Sequence, residues 1–169
     1  SVLDLACGTG TLAIWAKQLY PRVNVTGIDG DADILAIAAR KATEANVSIR
    51  FDRGLSFNLP YRDAYFDRIV SSLFFHHLSW HDKERTAQEL YRVVRPGGEL
   101  HVADWGRSTG PLMRGAFMAV QLLDGFSNTQ DKVEGRLIEL FQSTGFSDVR
   151  QRRTFSTILG TMALYSAVR

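Results

Sequence analysis

Val2-Leu3-Asp4-Leu5-Ala6-Cys7-Gly8-Thr9-Gly10-Thr11 opens the chain and changes character halfway along. Val2 to Ala6 is short and mostly apolar and stops at glycine, the pattern of a buried strand. From Leu12 the spacing becomes helical, with Ile14, Trp15 and Leu19 predicted on one apolar stripe. A strand, a glycine turn and a helix N-terminus make a nucleotide-binding loop, because Gly8 and Gly10 carry no Cβ to hold a ligand off the backbone. Gly8 to Ala13 also fits the dinucleotide fingerprint in its G-x-G-x-x-A form.

Asp4 discriminates between ligands. A pyrophosphate over the loop would gain from the positive end of the helix dipole, but a carboxylate beside it would repel it. A ligand carrying an ammonium and a sulfonium reverses that sign. An Asp4 satisfied by loop amides alone is the purely structural alternative.

The string Asp-x-Ala-Cys-Gly-Thr-Gly resembles the first motif of class I S-adenosylmethionine-dependent methyltransferases. Further along, Gly54-Leu55-Ser56-Phe57-Asn58-Leu59-Pro60-Tyr61, followed by Phe66-Asp67, is similar to that family's block ending in Leu-Pro and Phe-Asp. Leu55 stands where the family often carries an adenine-reading aspartate. It could instead pack on the adenine face, with backbone groups around Ser56 reading the ring edge. Arg92 to Leu100, with Pro96-Gly97-Gly98 inside it, again resembles the family, as a helix stop and re-entry into the sheet.

Composition sets the outer limits. At 169 residues with 45% hydrophobic content, the chain is expected to be a single domain over 1–169 with a real core. Twenty Lys and Arg against 18 Asp and Glu leave a formal charge of +2, with no basic run interleaved with aromatics, so nucleic acid is not an expected partner. The single cysteine, Cys7, excludes an internal disulfide and suits a reducing compartment. No apolar run reaches membrane-spanning length and no signal peptide is visible, so a cytoplasmic protein is expected. The chain opens on Ser1, directly on the first strand, where the resembled family carries a helical segment, so that cap is expected to be absent from this sequence, whether as a fragment or a trimmed chain.

Taken in order, the helix from Leu12 to Tyr20 should end at Pro21, and Val23 to Ile28 should form a second buried strand. Asp29 follows, about 20 residues beyond the glycine loop, where an acid at a strand end can bind both ribose hydroxyls. Asp31 suits the N-cap of a helix over Ala32 to Ala45, with Ile34, Leu35, Ile37 and Ala38 inward. Val47 to Asp52 and Phe66 to Ser72 read as the third and fourth strands. Phe74, Phe75, His76 and His77 come just past the fourth, where an open α/β sheet lines its ligand crevice. Ser79 and Asp82 form a capping box for a helix running to about Val94. A turn at Arg95 to Gly98 then leads into a fifth strand, Glu99 to Asp104.

Trp105 faces the substrate side, and residues 106–130 suggest a lid insertion. A plain core helix over Pro111 to Phe126 is the alternative. Lys132 to Thr144 reads as a helix closed by Gly145, and Asp148 to Arg153 and Thr157 to Val168 as an antiparallel pair, with Arg150, Arg152 and Arg153 on a solvated edge.

Strands and helices alternate through the fifth strand, which predicts a doubly wound, mainly parallel α/β sheet. The resemblance implies a Rossmann-like methyltransferase fold with seven strands, an antiparallel C-terminal strand and helices on both faces. It implies S-adenosylmethionine as cofactor, held by Asp4, Ala6, Gly8, Gly10, Asp29, Gly30, Leu55, Ser56 and Ser72. Phe74, Phe75, His76 and Trp105 would face a small-molecule acceptor such as a quinol, a lipid or a natural product. His76 is the candidate base, and His77 is expected to pack beneath the capping box.

Several subclasses are excluded on chemistry. Cys7 lies in the cofactor loop and cannot serve as a cytosine-C5 nucleophile. The Asn/Asp-Pro-Pro-Tyr motif for planar amino groups is missing, and no carboxylate cluster for a metal can be assembled. An NAD-dependent oxidoreductase and a non-catalytic SAM-binding protein remain as alternatives.

Overall fold

The computed structural model describes residues 1–105, 136–157 and 160–169. The segment predicted as a lid, 106–130, lies outside the described residues. The first strand, β1 (Val2–Leu5), has Leu3, Asp4 and Leu5 all buried, as befits a parallel strand covered on both faces. Helix α1 (Thr11–Leu19) follows, and Lys17 Nζ closes its end by donating to the carbonyls of Pro21 and Val23 at 2.9 and 2.8 Å. Only Ala13 and Ile14 of α1 are buried; Trp15 is 59% and Leu19 73% exposed, contrary to the predicted stripe. Each residue turns the helix by about 100°, so the arc that faces the sheet at Ile14 has already left it at Trp15.

Strand β2 (Val25–Asp29) leads to α2 (Ala32–Glu44), whose N-cap is Asp31, accepting the amides of Asp33 and Ile34 at 2.8 and 3.3 Å. Leu35, Ala38 and Ala42 are its buried stripe, while Ile37 faces outward. Strand β3 (Arg50–Arg53) is shorter than predicted, and β4 (Phe66–Ser72) matches its predicted bounds. A 3-10 turn over Phe75–His77 precedes α3 (Trp80–Val93). Ser79 is the predicted N-cap: its Oγ accepts the Asp82 amide at 3.2 Å, and Asp82 answers through its carboxylate, which accepts the Ser79 hydroxyl at 2.7 Å.

Strand β5 (Val94–Trp105) absorbs the predicted turn as an irregularity, its pairing with β4 jumping from Phe66↔Val94 to Arg68↔Glu99. Gly97 takes a φ of +73° inside that jump, a backbone shape glycine adopts without cost. Helix α4 (Leu137–Thr144) ends at Gly145 with φ +112°, and β6 (Ser147–Thr157) and β7 (Gly160–Val168) pair antiparallel.

The sheet runs β3-β2-β1-β4-β5-β7-β6, parallel from β3 to β5, with β7 antiparallel between β5 and β6. The chain moves outward from β1 to β3, then returns to start β4 on the other side of β1. That reversal opens a crevice at the carboxyl ends of β1 and β4. Beneath it, Leu3, Leu5, Phe66, Ile69, Leu90, Leu100 and Phe141 form the core. At the far edge β6 exposes Arg150, Arg152 and Arg153; Arg150 and Arg152 pair with Asp148 at 2.5 and 3.3 Å.

Candidate active site

The loop after β1 is held in an unusual backbone shape. Ala6, Gly8 and Gly10 have φ of +52°, +52° and +74°. The Cys7 amide bonds to Ile28 O at 3.0 Å and the Gly10 amide to Cys7 O at 2.9 Å, which ties the loop to β2 and to itself. The two glycines do different things. A Cβ on Gly8 would meet nothing within 4 Å, leaving an open face for a ligand. A Cβ on Gly10 would lie 3.0 Å from Ala38 Cβ and 3.1 Å from the Phe51 ring, so this glycine lets α1 pack against α2 and β3.

Asp4 sits beneath the loop at 2% exposure, and its Oδ2 has no hydrogen-bond partner. Burial pushes its carboxyl up to about 7; the Ala13 amide opposes that rise and the Asp29 charge adds to it. Burial, then the charges of Asp4 and Asp29, push the Cys7 thiol up to about 12, so it is no nucleophile at neutral pH. Asp29 closes β2, where its Oδ2 accepts the Gly8 amide at 2.9 Å and its Oδ1 the Asp31 amide at 3.1 Å.

A cavity of about 300 Å³ opens beside this loop. Of the predicted residues, Ala6, Asp29, Gly30, Leu55, Ser56 and Phe74 line it together. Leu55 is 53% exposed, available as an apolar face, whereas the Ser56 hydroxyl is bonded to Thr86 Oγ1 at 2.8 Å. Ser72 ends β4 exposed and is not among the lining residues. An orphaned buried carboxylate oxygen, an open glycine and a strand-end acid fit a cofactor that brings positive charge and a ribose.

On the other flank, past β4 and β5, Phe75 lines a small pocket with His76 and Trp105, and the structure revises the assignment of His77. Phe75 is 1% exposed and stacks edge-on with Phe141 in the core, 5.6 Å between centroids. His77 does not pack beneath the capping box. It is exposed, its ring 3.9 Å from that of His76, because the tight turn gives only one of two adjacent side chains to the interior. His76 is that one. Its Nδ1 lies 2.8 Å from Asp104 Oδ1, and its amide donates to Asp104 Oδ2 at 3.2 Å.

Asp104, absent from the predicted site, is 1% exposed at the end of β5. One signal could have found it: Leu100, Val102 and Asp104 alternate in phase, placing an acid at an inward position. Trp105 lines a small pocket there with His76, Trp80, Lys83 and Arg136, whose guanidinium lies 4.1 Å from the Trp80 ring centroid. Among the described residues no group of three or more His, Cys, Asp or Glu is arranged to hold a metal. No described helix is long and apolar enough to cross a membrane.

Topology, loop and acids together define a class I S-adenosylmethionine-dependent methyltransferase fold. The methyltransferase-domain family model matches residues 2–98, and the chain belongs to that family. A demethylmenaquinone methyltransferase of Thermus thermophilus is 39% identical over 116 residues, which cover 69% of this chain and 50% of that protein. The chain spans about half the length of the curated relatives it matches first.

Among solved structures, a SAM-dependent methyltransferase from Methanosarcina mazei superposes with a TM-score of 0.78 at 19% identity, covering 99% of this chain and 89% of that one. A phosphoethanolamine N-methyltransferase of Haemonchus contortus, solved with S-adenosylhomocysteine, gives 0.75 at 17% identity, covering 99% and 48%. At such identities the structural matches speak to fold alone.

Proposed function

We propose that this protein methylates a small-molecule acceptor at the expense of S-adenosylmethionine, and that the acceptor is a quinol. The observation that carries the reading is the buried Asp4 with its unpartnered oxygen beneath an open glycine loop. S-adenosylmethionine supplies a methyl group on a sulfonium, ready for in-line displacement by a nucleophile. Asp4 balances positive charge brought to the loop, Asp29 takes the ribose hydroxyls, and Leu55 packs on the adenine. The chain then has to hold an acceptor collinear with the methyl group and keep water away.

The acceptor class rests on chemistry and on the names of relatives. The curated relatives this chain matches first are demethylmenaquinone methyltransferases. A quinone ring is electron-poor, and only its reduced, hydroxyl-bearing form is a nucleophile, more so once a hydroxyl proton is removed. His76 is the group we assign to take that proton, and Phe74 and Trp105 offer apolar surface for a planar ring. A cytoplasmic setting belongs to the same reading, supported by a lone, buried, unpaired Cys7.

The test is a mass-spectrometric assay with S-adenosylmethionine and chemically reduced demethylmenaquinone. A product heavier by one methyl group is expected. Methylation of amines or phospholipids with none of the quinol would overturn the acceptor assignment.

A further inference from the structure

We infer that Asp104 is a positioning residue for the reaction, fixing His76 in the tautomer that presents its basic lone pair at Nε2. The inference rests on the methyltransferase reading above and adds a residue to it. Two backbone amides and one ring nitrogen of His76 meet the Asp104 carboxylate. Its Oδ1 is 2.8 Å from His76 Nδ1 and accepts the Trp105 amide at 2.7 Å; its Oδ2 accepts the His76 amide at 3.2 Å. An ionised carboxylate can only accept, so Nδ1 must carry the proton. The opposite tautomer would set a nitrogen lone pair against a carboxylate oxygen at hydrogen-bonding distance. With Nδ1 occupied, Nε2 of the neutral ring holds the lone pair and is the nitrogen free to accept a proton.

Burial makes the arrangement stiff. Asp104 is 1% exposed, and the His76 side chain 13%, so the pair is little screened by water. The two backbone bonds hold the carboxylate in place whatever the ring does, and the carboxylate in turn holds the ring. In the reaction the acceptor hydroxyl proton passes to Nε2, and the oxygen keeps the electron pair it shared with that proton. Asp104 stays ionised and stabilises the imidazolium until the proton leaves to solvent.

Other titratable and charged groups face the pair. Burial, and after it the Asp104 charge, raises the pKa of the Tyr165 phenol of β7. Lys83 of α3 and Arg136 before α4 line the same pocket, and His77 lies ring against ring with His76.

The first readout needs no turnover. Long-range proton–nitrogen spectra of histidine-labelled wild-type protein should show neutral His76 as the Nδ1–H tautomer. An Nε2–H tautomer, or a fast-averaged mixture, would overturn the proposal. The second readout compares Asp104→Asn with wild type, using reduced demethylmenaquinone as acceptor. We expect kcat to fall by about 10²-fold, with KM for the quinol and the affinity for S-adenosylmethionine changed by less than about threefold.

An unchanged kcat, or a change in KM alone, would contradict a positioning role. If the variant does not fold, the wild-type spectrum decides. If wild-type protein methylates no quinol, the acceptor assignment fails, while the spectrum still tests the dyad.

Discussion

The Asp29 carboxylate accepts the Gly8 amide at 2.9 Å, joining the end of β2 to the glycine loop across the mouth of the crevice. The residue assigned to the ribose therefore also shapes the loop that meets the rest of the cofactor. Asp29→Ala removes the charge and orphans a loop amide at once. Cofactor binding should weaken by roughly 1.5–3 kcal/mol, and the unliganded domain should lose about 1 kcal/mol. Calorimetry and urea unfolding measure the two effects, and an unchanged dissociation constant would make Asp29 purely structural.

Asp4 links stability to pH. Its carboxyl is pushed up to about 7, so the folded protein keeps a proton that the unfolded chain gives up near pH 4. Its contribution to stability is fully present below that lower value and is lost as pH rises through 7, to a total of about 4 kcal/mol. Asp4→Asn should remove this loss, so that its melting temperature at pH 8 exceeds that of wild type while cofactor binding collapses. Identical pH dependence of melting in both proteins would show that Asp4 does not carry the effect.

Gly8 and Gly10 should separate in mutagenesis. Gly8→Ala places a methyl in open space, at the cost of a left-handed backbone worth about 1–2 kcal/mol. It should cost cofactor affinity about tenfold or more, because that open face is where a ligand approaches. Gly10→Ala adds a methyl 3.0 Å from Ala38 Cβ and should destabilise the fold by roughly 2–4 kcal/mol. Equal stability of the two variants would refute the distinction.

Ala6 is a non-glycine residue at φ +52°, in the loop directly after β1. Ala6→Gly relieves that strain at some cost in unfolded-chain entropy. The net should be a gain of roughly 0.5–1 kcal/mol, or about 2–3 °C in Tm. A lower Tm would mean that the Ala6 methyl contributes more through packing than its backbone costs.

The sequence shows best those features in which a residue acts on its near neighbours. The strand-loop-helix at Val2 to Leu19, the Asp31 cap and the Ser79–Asp82 box are local arrangements, and each was legible in advance. Trp15 and Leu19 were misplaced because periodicity finds an apolar arc but not how much of it the sheet covers. His77 was placed inward beneath the capping box, but the turn sends the His76 ring inward and leaves His77 exposed. The alternation of Leu100, Val102 and Asp104 marks Asp104 as inward but not what it meets there: its partner, His76, lies 28 residues away and is brought to it only when β4 and β5 pair. The packing role of Gly10 was not legible because its neighbours Ala38 and Phe51 arrive from elements far along the chain.

The central claim is that the loop over Asp4 takes a positively charged nucleoside cofactor. Calorimetric titration of the protein with S-adenosylmethionine, S-adenosylhomocysteine and NAD, each at pH 6 and pH 8, tests it most directly. Both adenosyl ligands should bind, S-adenosylmethionine more tightly at pH 8 than at pH 6 as Asp4 ionises, with NAD far weaker throughout. Tighter binding of NAD than of either adenosyl ligand would contradict the account.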